Sequence, residues 1–189
     1  MSAPAPTRRK PRVRKPASSQ SVLLTIIVKG VDGVRVERLA GSLKVAKSGF
    51  YYHFLDRNDY LGQLLEHWDR ISTESVLSDV RVMRGTPKRR LSRIMQLVEV
   101  ADLPSYDIAL HAWAREDARA RTVVSRAIRR REEFVGSIIR EAGFEGEDLE
   151  MRATLFVTYV SNEKNYFSFK SKSKRERLRK SFLENLLKR

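Results

Sequence analysis

Between Ala46 and Arg57 the chain gathers side chains suited to one kind of chemistry, hydrogen bonding to a polyanion that carries edge groups on flat bases. Lys47 can reach a guanine edge or a phosphate, and Ser48 can bond to either. Tyr51, Tyr52 and His53 can donate to phosphate oxygens, while Ala46 and Gly49 are small enough for a backbone to come close. Phe50 and Phe54, four residues apart, supply an apolar underside for the same short helix. Competing chemistries lack their residues. There is no cysteine for a disulfide, a thiolate metal site or a redox pair. No phosphate-cradling glycine loop, paired catalytic carboxylates or nucleophile-base signature occurs. His67 and His111 have no second ligand at metal-like spacing, and Glu132 and Glu133 are adjacent on a helix and point apart. Neither an enzyme nor a bound cofactor or metal is expected.

These side chains need elements to hold them. From Ser19 onward Val22, Leu23, Ile26 and Ile27 recur at helical spacing until Gly30, which predicts a first helix. Residues 31–33 form a turn into Val36, Leu39, Ala40 and Leu43, which share one face of a second helix. A tight turn at Lys44 and Val45 precedes the third helix, 46–54, so the outline is short helix, tight turn, short helix. A longer helix capped by Asp56 follows, with Tyr60, Leu61, Leu64, Leu65, Trp68 and Ile71, fading near Val80. A helix start with Pro87 at its first position comes next. Further apolar stripes run through Leu91, Ile94, Met95 and Val98, then Ile108, Ala109, Ala112 and Trp113, then Val124, Ile128, Val135, Ile138 and Ile139 up to a stop at Gly143. Leu149, Ala153, Phe156, Val157 and Val160 form another, and Leu178, Phe182, Leu183, Leu186 and Leu187 the last. The fold expected is all-α. Strand-like alternation and repeats of 20 to 50 residues are absent.

At 189 residues and 41% hydrophobic the chain is long enough to bury a core, and its formal charge of +15 calls for an anionic partner. That charge is concentrated. Residues 1–20 hold six basic side chains and no acidic one, residues 170–189 hold nine against two, and the middle is nearly balanced. Residues 1–19 carry four of the six prolines and one branched apolar residue, Val13, and are expected to be a disordered basic arm. No stretch resembles a signal peptide or approaches the roughly 18 apolar residues of a membrane helix, so a soluble, cytoplasmic protein is expected, with no membrane partner.

The run GVDGVRVERLAGSLKVAKSGFYYHFLDRNDYL resembles the N-terminal DNA-binding region of tetracycline-repressor-type (TetR) transcriptional regulators. Gly30 stands at the family's first-helix stop, Leu39-Ala40 at its apolar-Ala pair, Phe50-Tyr51-Tyr52-His53-Phe54 at its aromatic motif and Arg57 at the basic residue opening the fourth helix. The resemblance implies that Arg35, Lys47, Ser48, Gly49, Tyr51, Tyr52, His53 and Arg57 face DNA. Three departures stand out: Lys44 for the turn glycine, Ala46 for the Ser/Thr cap, and Ser48-Gly49 for the inverse order. A lysine in a positive-φ turn and a missing capping hydroxyl each cost about 1 kcal/mol. A weaker similarity continues through 106–114, Arg131 and Gly143-Phe144.

What the resemblance implies is a helix-turn-helix domain over 20–65, its connector helix reaching about 80, and a helical effector-binding and dimerisation domain over 66–189. A homodimer would present two recognition helices to a palindromic operator in double-stranded DNA, as a repressor released by a small-molecule effector. Phe156, Val157, Val160, Phe182, Leu183 and Leu186 exceed what a small monomeric bundle needs and are expected at the dimer interface. Met95, Tyr106, Trp113, Phe134 and Tyr159 are candidates for an effector pocket, with ordinary core packing as the alternative. Two rival functions share the same composition: a sequence-independent, nucleoid-type nucleic-acid-binding protein using the basic ends, and a helical adaptor for another protein.

Overall fold

The structure is a computed structural model that describes residues 35–42 and 47–188. The basic arm, the first helix, the 31–33 turn and positions 44–46 lie outside the described residues, and with them the Lys44 and Ala46 departures. Every regular element among the described residues is helical: α1 (Val36–Ser42), α2 (Lys47–His53), α3 (Arg57–Asp69), α4 (Ser75–Leu77), α5 (Pro87–Val100), α6 (Leu103–Glu116), α7 (Ala118–Glu141), α8 (Gly146–Phe167) and α9 (Lys172–Leu186). None of them is long and apolar enough to cross a membrane.

The helix starts follow local chemistry. Asp56 accepts from the Asp59 backbone N–H at 2.7 Å, and Asp59 accepts in return from Leu55 N–H at 3.0 Å, which satisfies two otherwise orphaned donors at the start of α3. Thr86 caps α5 ahead of Pro87, and Asp117 caps α7 through Ala120 N–H at 2.8 Å. Gly143, at φ 91°, lets the chain turn off the end of α7 where a side chain would be strained.

The connector departs from the uninterrupted helix expected to Val80. Between α3 and α4 the residues Arg70–Glu74 form a π-helical turn, and α4 ends at Leu77. The cause is in the side chains. Ser72 donates to Trp68 O at 2.5 Å, Ser75 to Ile71 O at 2.5 Å and Ser78 to Glu74 O at 2.7 Å, so three hydroxyls in succession compete for the carbonyls of the helix ladder.

Two apolar clusters result. The first joins Phe50, Phe54, Leu61, Leu65 and Trp68 to Leu110 and Trp113 of α6 and to Ala120 and Val124 of α7, so the core beneath α1 and α2 continues into the bundle. The second fills the bundle with Leu91, Ile94, Ile138, Ile139 and Phe156, closed by Leu183 and Leu186 of α9. Tyr106 packs against both.

Of the stripe expected on α6, Ala109 and Trp113 are buried, Ile108 is half-buried and Ala112 is exposed, and the buried face extends over Leu103, Asp107, Leu110 and Ala114. An aspartate at the centre of that face hid it from a hydrophobic pattern. Its partners are supplied by α3 and α7. The arginines of α7 hold the connector along its length, Arg119 donating to Asn58 O at 3.2 Å, Arg126 and Arg130 each to Asp69 Oδ2 at 3.3 Å, and Arg131 to Thr73 Oγ1 at 3.0 Å.

Candidate nucleic-acid interface and ligand cavity

Helix α2 has two unlike faces. Its underside is pinned by Phe50 and Phe54, buried with ring centroids 5.0 Å apart, and by Tyr60 from α3, whose ring meets Phe54 edge-on at 4.8 Å. Four side chains lie outward: Lys47 and Ser48 are exposed, as are Tyr51 at 47% and Tyr52 at 74%. Exposed tyrosines held by a rigid aromatic underside present hydroxyls at a fixed height above the surface. Arg35 is exposed immediately before α1, and Arg57, half-buried, opens α3. Gly49 and His53 lie on α2, their side-chain environments outside the described residues.

Lys47 already has a protein partner. Its Nζ lies 2.7 Å from Glu37 Oε1 on α1, both groups well exposed. The hydrogen bond from Lys47 lowers the Glu37 pKa, and the same bond raises that of Lys47. Such an exposed pair is weak and salt-screened, so a phosphate can take the lysine over.

A cavity of about 40 Å³ lies between the connector, α5, α6, α7 and α8. Its walls are apolar except at one end, where Asp107 and Arg131 meet. Arg131 NH1 donates to Asp107 Oδ2 at 2.7 Å and NH2 to Oδ1 at 3.3 Å, and Trp68 Nε1 donates to Oδ1 at 3.0 Å. The guanidinium also lies over the Trp68 ring, 5.3 Å from its centroid. The core beneath α1 and α2, the connector and the cavity therefore share one buried polar cluster.

Of the five pocket candidates, Phe134 lines this cavity. Met95 is buried and borders clefts between α5 and α9 instead. Tyr106 bridges the two cores, and Trp113 belongs to the core beneath α1 and α2, its Nε1 buried without a partner among the described residues. Tyr159 stacks on Phe182 at 4.0 Å; burial, with the nearby Glu163 charge, pushes its hydroxyl up to about 12. The side chains that give the cavity its chemistry, Thr73, Asp107, Arg131 and Ser161, are polar and escaped a search for apolar linings.

The residues expected at a dimer interface are also placed differently. Phe156, Val157, Val160, Leu183 and Leu186 are buried inside the subunit, and Phe182 is half-buried against Tyr159 and Phe156. The apolar surplus inferred from the sequence is consumed by packing α8 and α9 onto α5 and α7. The outward stripe of α8 is formed by Met151, Leu155 and Thr158, at spacings of four and three. At the far end of α8, Glu163 accepts from Arg179 Nε at 2.7 Å while Arg179 NH1 bonds Glu99; burial raises the Glu163 pKa, and the Arg179 hydrogen bond lowers that of Glu99.

No protein-family model and no curated protein matches the chain. Solved structures do. A TetR-family transcriptional regulator from Rhodococcus sp. superposes with a TM-score of 0.69 at 18% identity, over 91% of this chain and 100% of that one. A member of the TetR transcriptional regulator family from Streptomyces coelicolor A3 gives 0.61 at 19% identity, over 93% and 92%. AibR, solved in complex with isovaleryl coenzyme A and operator DNA, gives 0.63 at 17% identity, over 89% and 97%. The fold of this chain is that of the TetR-type regulators, across nearly its whole length.

Proposed function

We propose that the protein is a sequence-specific DNA-binding transcriptional regulator, a cytoplasmic homodimeric repressor that releases a palindromic operator when a small molecule occupies the bundle. The observation that carries this reading is the two-faced α2, with Phe50 and Phe54 locked beneath it and Lys47, Ser48, Tyr51 and Tyr52 turned outward. A helix so mounted suits insertion into a major groove, and the first residues of α3 suit a phosphate clamp. The fold shared with AibR, which was solved with operator DNA and an acyl-coenzyme A, supports both halves of the reading.

The dimer contact is reassigned to the outward stripe of α8, Met151, Leu155 and Thr158, because the residues expected from sequence are engaged within the subunit. Leu155→Glu should convert the dimer to a monomer in sedimentation velocity without lowering helicity.

Fluorescence anisotropy with a duplex from the protein's own promoter tests the function. Tyr52→Ala and Lys47→Ala, both at exposed positions, should leave the fold intact and weaken binding, by about 1–3 kcal/mol where the side chain reads a base. Unchanged affinity in both variants would remove α2 as the reading helix and favour an adaptor. Equal affinity for random duplex would favour the nucleoid-type alternative.

A further inference from the structure

The polar end of the bundle cavity has a definite hydrogen-bonding imbalance. Asp107, which only accepts, already receives three N–H donors from Trp68 and Arg131. Arg131, which only donates, gives Nε–H to Thr73, NH1 to Asp107 and, at 3.5 Å, to Ser161, and one NH2 hydrogen to Asp107. A second NH2 hydrogen, on the Nε edge beside Thr73, is left over among the described residues. The Thr73 hydroxyl beside it can turn to donate as well. What the cavity lacks is an acceptor.

Charge narrows the choice. Arg131 and Asp107 together are neutral, and the remaining wall is built from side chains such as Ile94, Leu103, Phe134 and Phe156. A carboxylate placed there would bring a negative charge without a counter-ion into a largely apolar cavity, whereas a carbonyl oxygen accepts the same hydrogens with a far smaller desolvation cost. Resting on the regulator reading above, we propose that the ligand of this site is an uncharged carbonyl compound, a ketone, ester or thioester, with a compact branched or aromatic body, whose oxygen is held by Arg131 and Thr73.

Size links this chemistry to regulation. The cavity is about 40 Å³, well below the roughly 150 Å³ of a cavity that admits benzene, so a phenyl-sized body enters only by moving a wall. The wall formed by Ser72, Thr73 and Val76 belongs to the connector, at and just after the turn where serine hydroxyls already loosen the helix ladder. Trp68, one turn earlier, is part of the core beneath α1 and α2. An occupied cavity therefore displaces the element on which α2 is mounted.

A matched trio on one body tests the assignment: acetophenone, benzoate and ethylbenzene, each titrated calorimetrically into the full-length protein without DNA, with melting temperature as a second readout. Acetophenone should bind at least tenfold more tightly than the other two and raise the melting temperature. Thr73→Val, which keeps the side-chain shape and removes the hydroxyl, should erase most of that preference, and Arg131→Lys should do so if it folds. Benzoate or ethylbenzene binding as tightly as acetophenone, no binding by any of the three, or an unchanged preference in Thr73→Val overturns the proposal. Acetophenone that binds as expected but leaves the DNA complex intact would instead sink the effector-release reading while the ligand assignment stands.

Discussion

Replacing Arg131 by Met removes the guanidinium that joins α7 to α6 and to the connector, while its thioether chain fills much of the same volume. Asp107 then keeps only the Trp68 indole as a donor, and its carboxylate stays buried, with 4% of its side chain exposed against 13% for Arg131. Both groups are well below the exposure at which solvent screening would erase the interaction. Breaking a buried pair from one side costs ~3–5 kcal/mol. For a chain of this size each kcal/mol shifts the melting temperature by about 2–4 °C, so a fall of roughly 6–20 °C is expected. Asp107→Asn combined with Arg131→Met removes the stranded charge and should recover a large part of the loss. The double-mutant cycle, read by urea denaturation, should therefore be strongly non-additive. A single variant that loses less than about 1 kcal/mol, or a cycle that closes additively, would refute the claim that this pair is the joint between bundle and reading head.

Glu37→Gln should tighten DNA binding in an anisotropy titration without changing the melting temperature, because it releases Lys47 and removes an exposed anion near the phosphates. Tyr159 should be a late-titrating tyrosine in an ultraviolet pH titration, ionising near 12, with that component lost in Tyr159→Phe. Because the folded form holds that proton above the normal tyrosine value of 10, stability should fall as pH rises from 10 towards 12, and Tyr159→Phe should flatten that part of the curve. Gly62→Ala should gain up to about 1 kcal/mol of helix propensity but force the Arg119 guanidinium off Asn58 O, so the two effects should leave the melting temperature nearly unchanged in thermal denaturation.

Periodicity and capping made most of the helices legible: Asp56, Thr86-Pro87, Asp117 and Gly143 act locally, and local chemistry survives in a linear reading. The aromatic underside of α2 was legible for the same reason, Phe50 and Phe54 being one helical turn apart. What escaped was long-range and polar. Asp107 on a buried face reads as an interruption until Trp68 and Arg131, 39 and 24 residues away, are seen to satisfy it. Four arginines of α7 grip the connector through contacts more than 50 residues apart in sequence, which no local spacing announces. The π-turn hid behind serines that also suit an ordinary exposed helix. Apolar residues on α8 and α9 were counted correctly and assigned to the wrong side, because a hydrophobic stripe does not say whether its partner is in the same subunit.

The central claim is that α2, paired across a two-fold axis, reads a defined sequence. Selection of duplexes bound by the full-length protein from a randomised library tests it most directly. The account predicts enrichment of two inverted half-sites about one or two helical turns apart, lost in Tyr52→Ala. A bound pool with no enriched sequence, or the same pool from Tyr52→Ala, would contradict it.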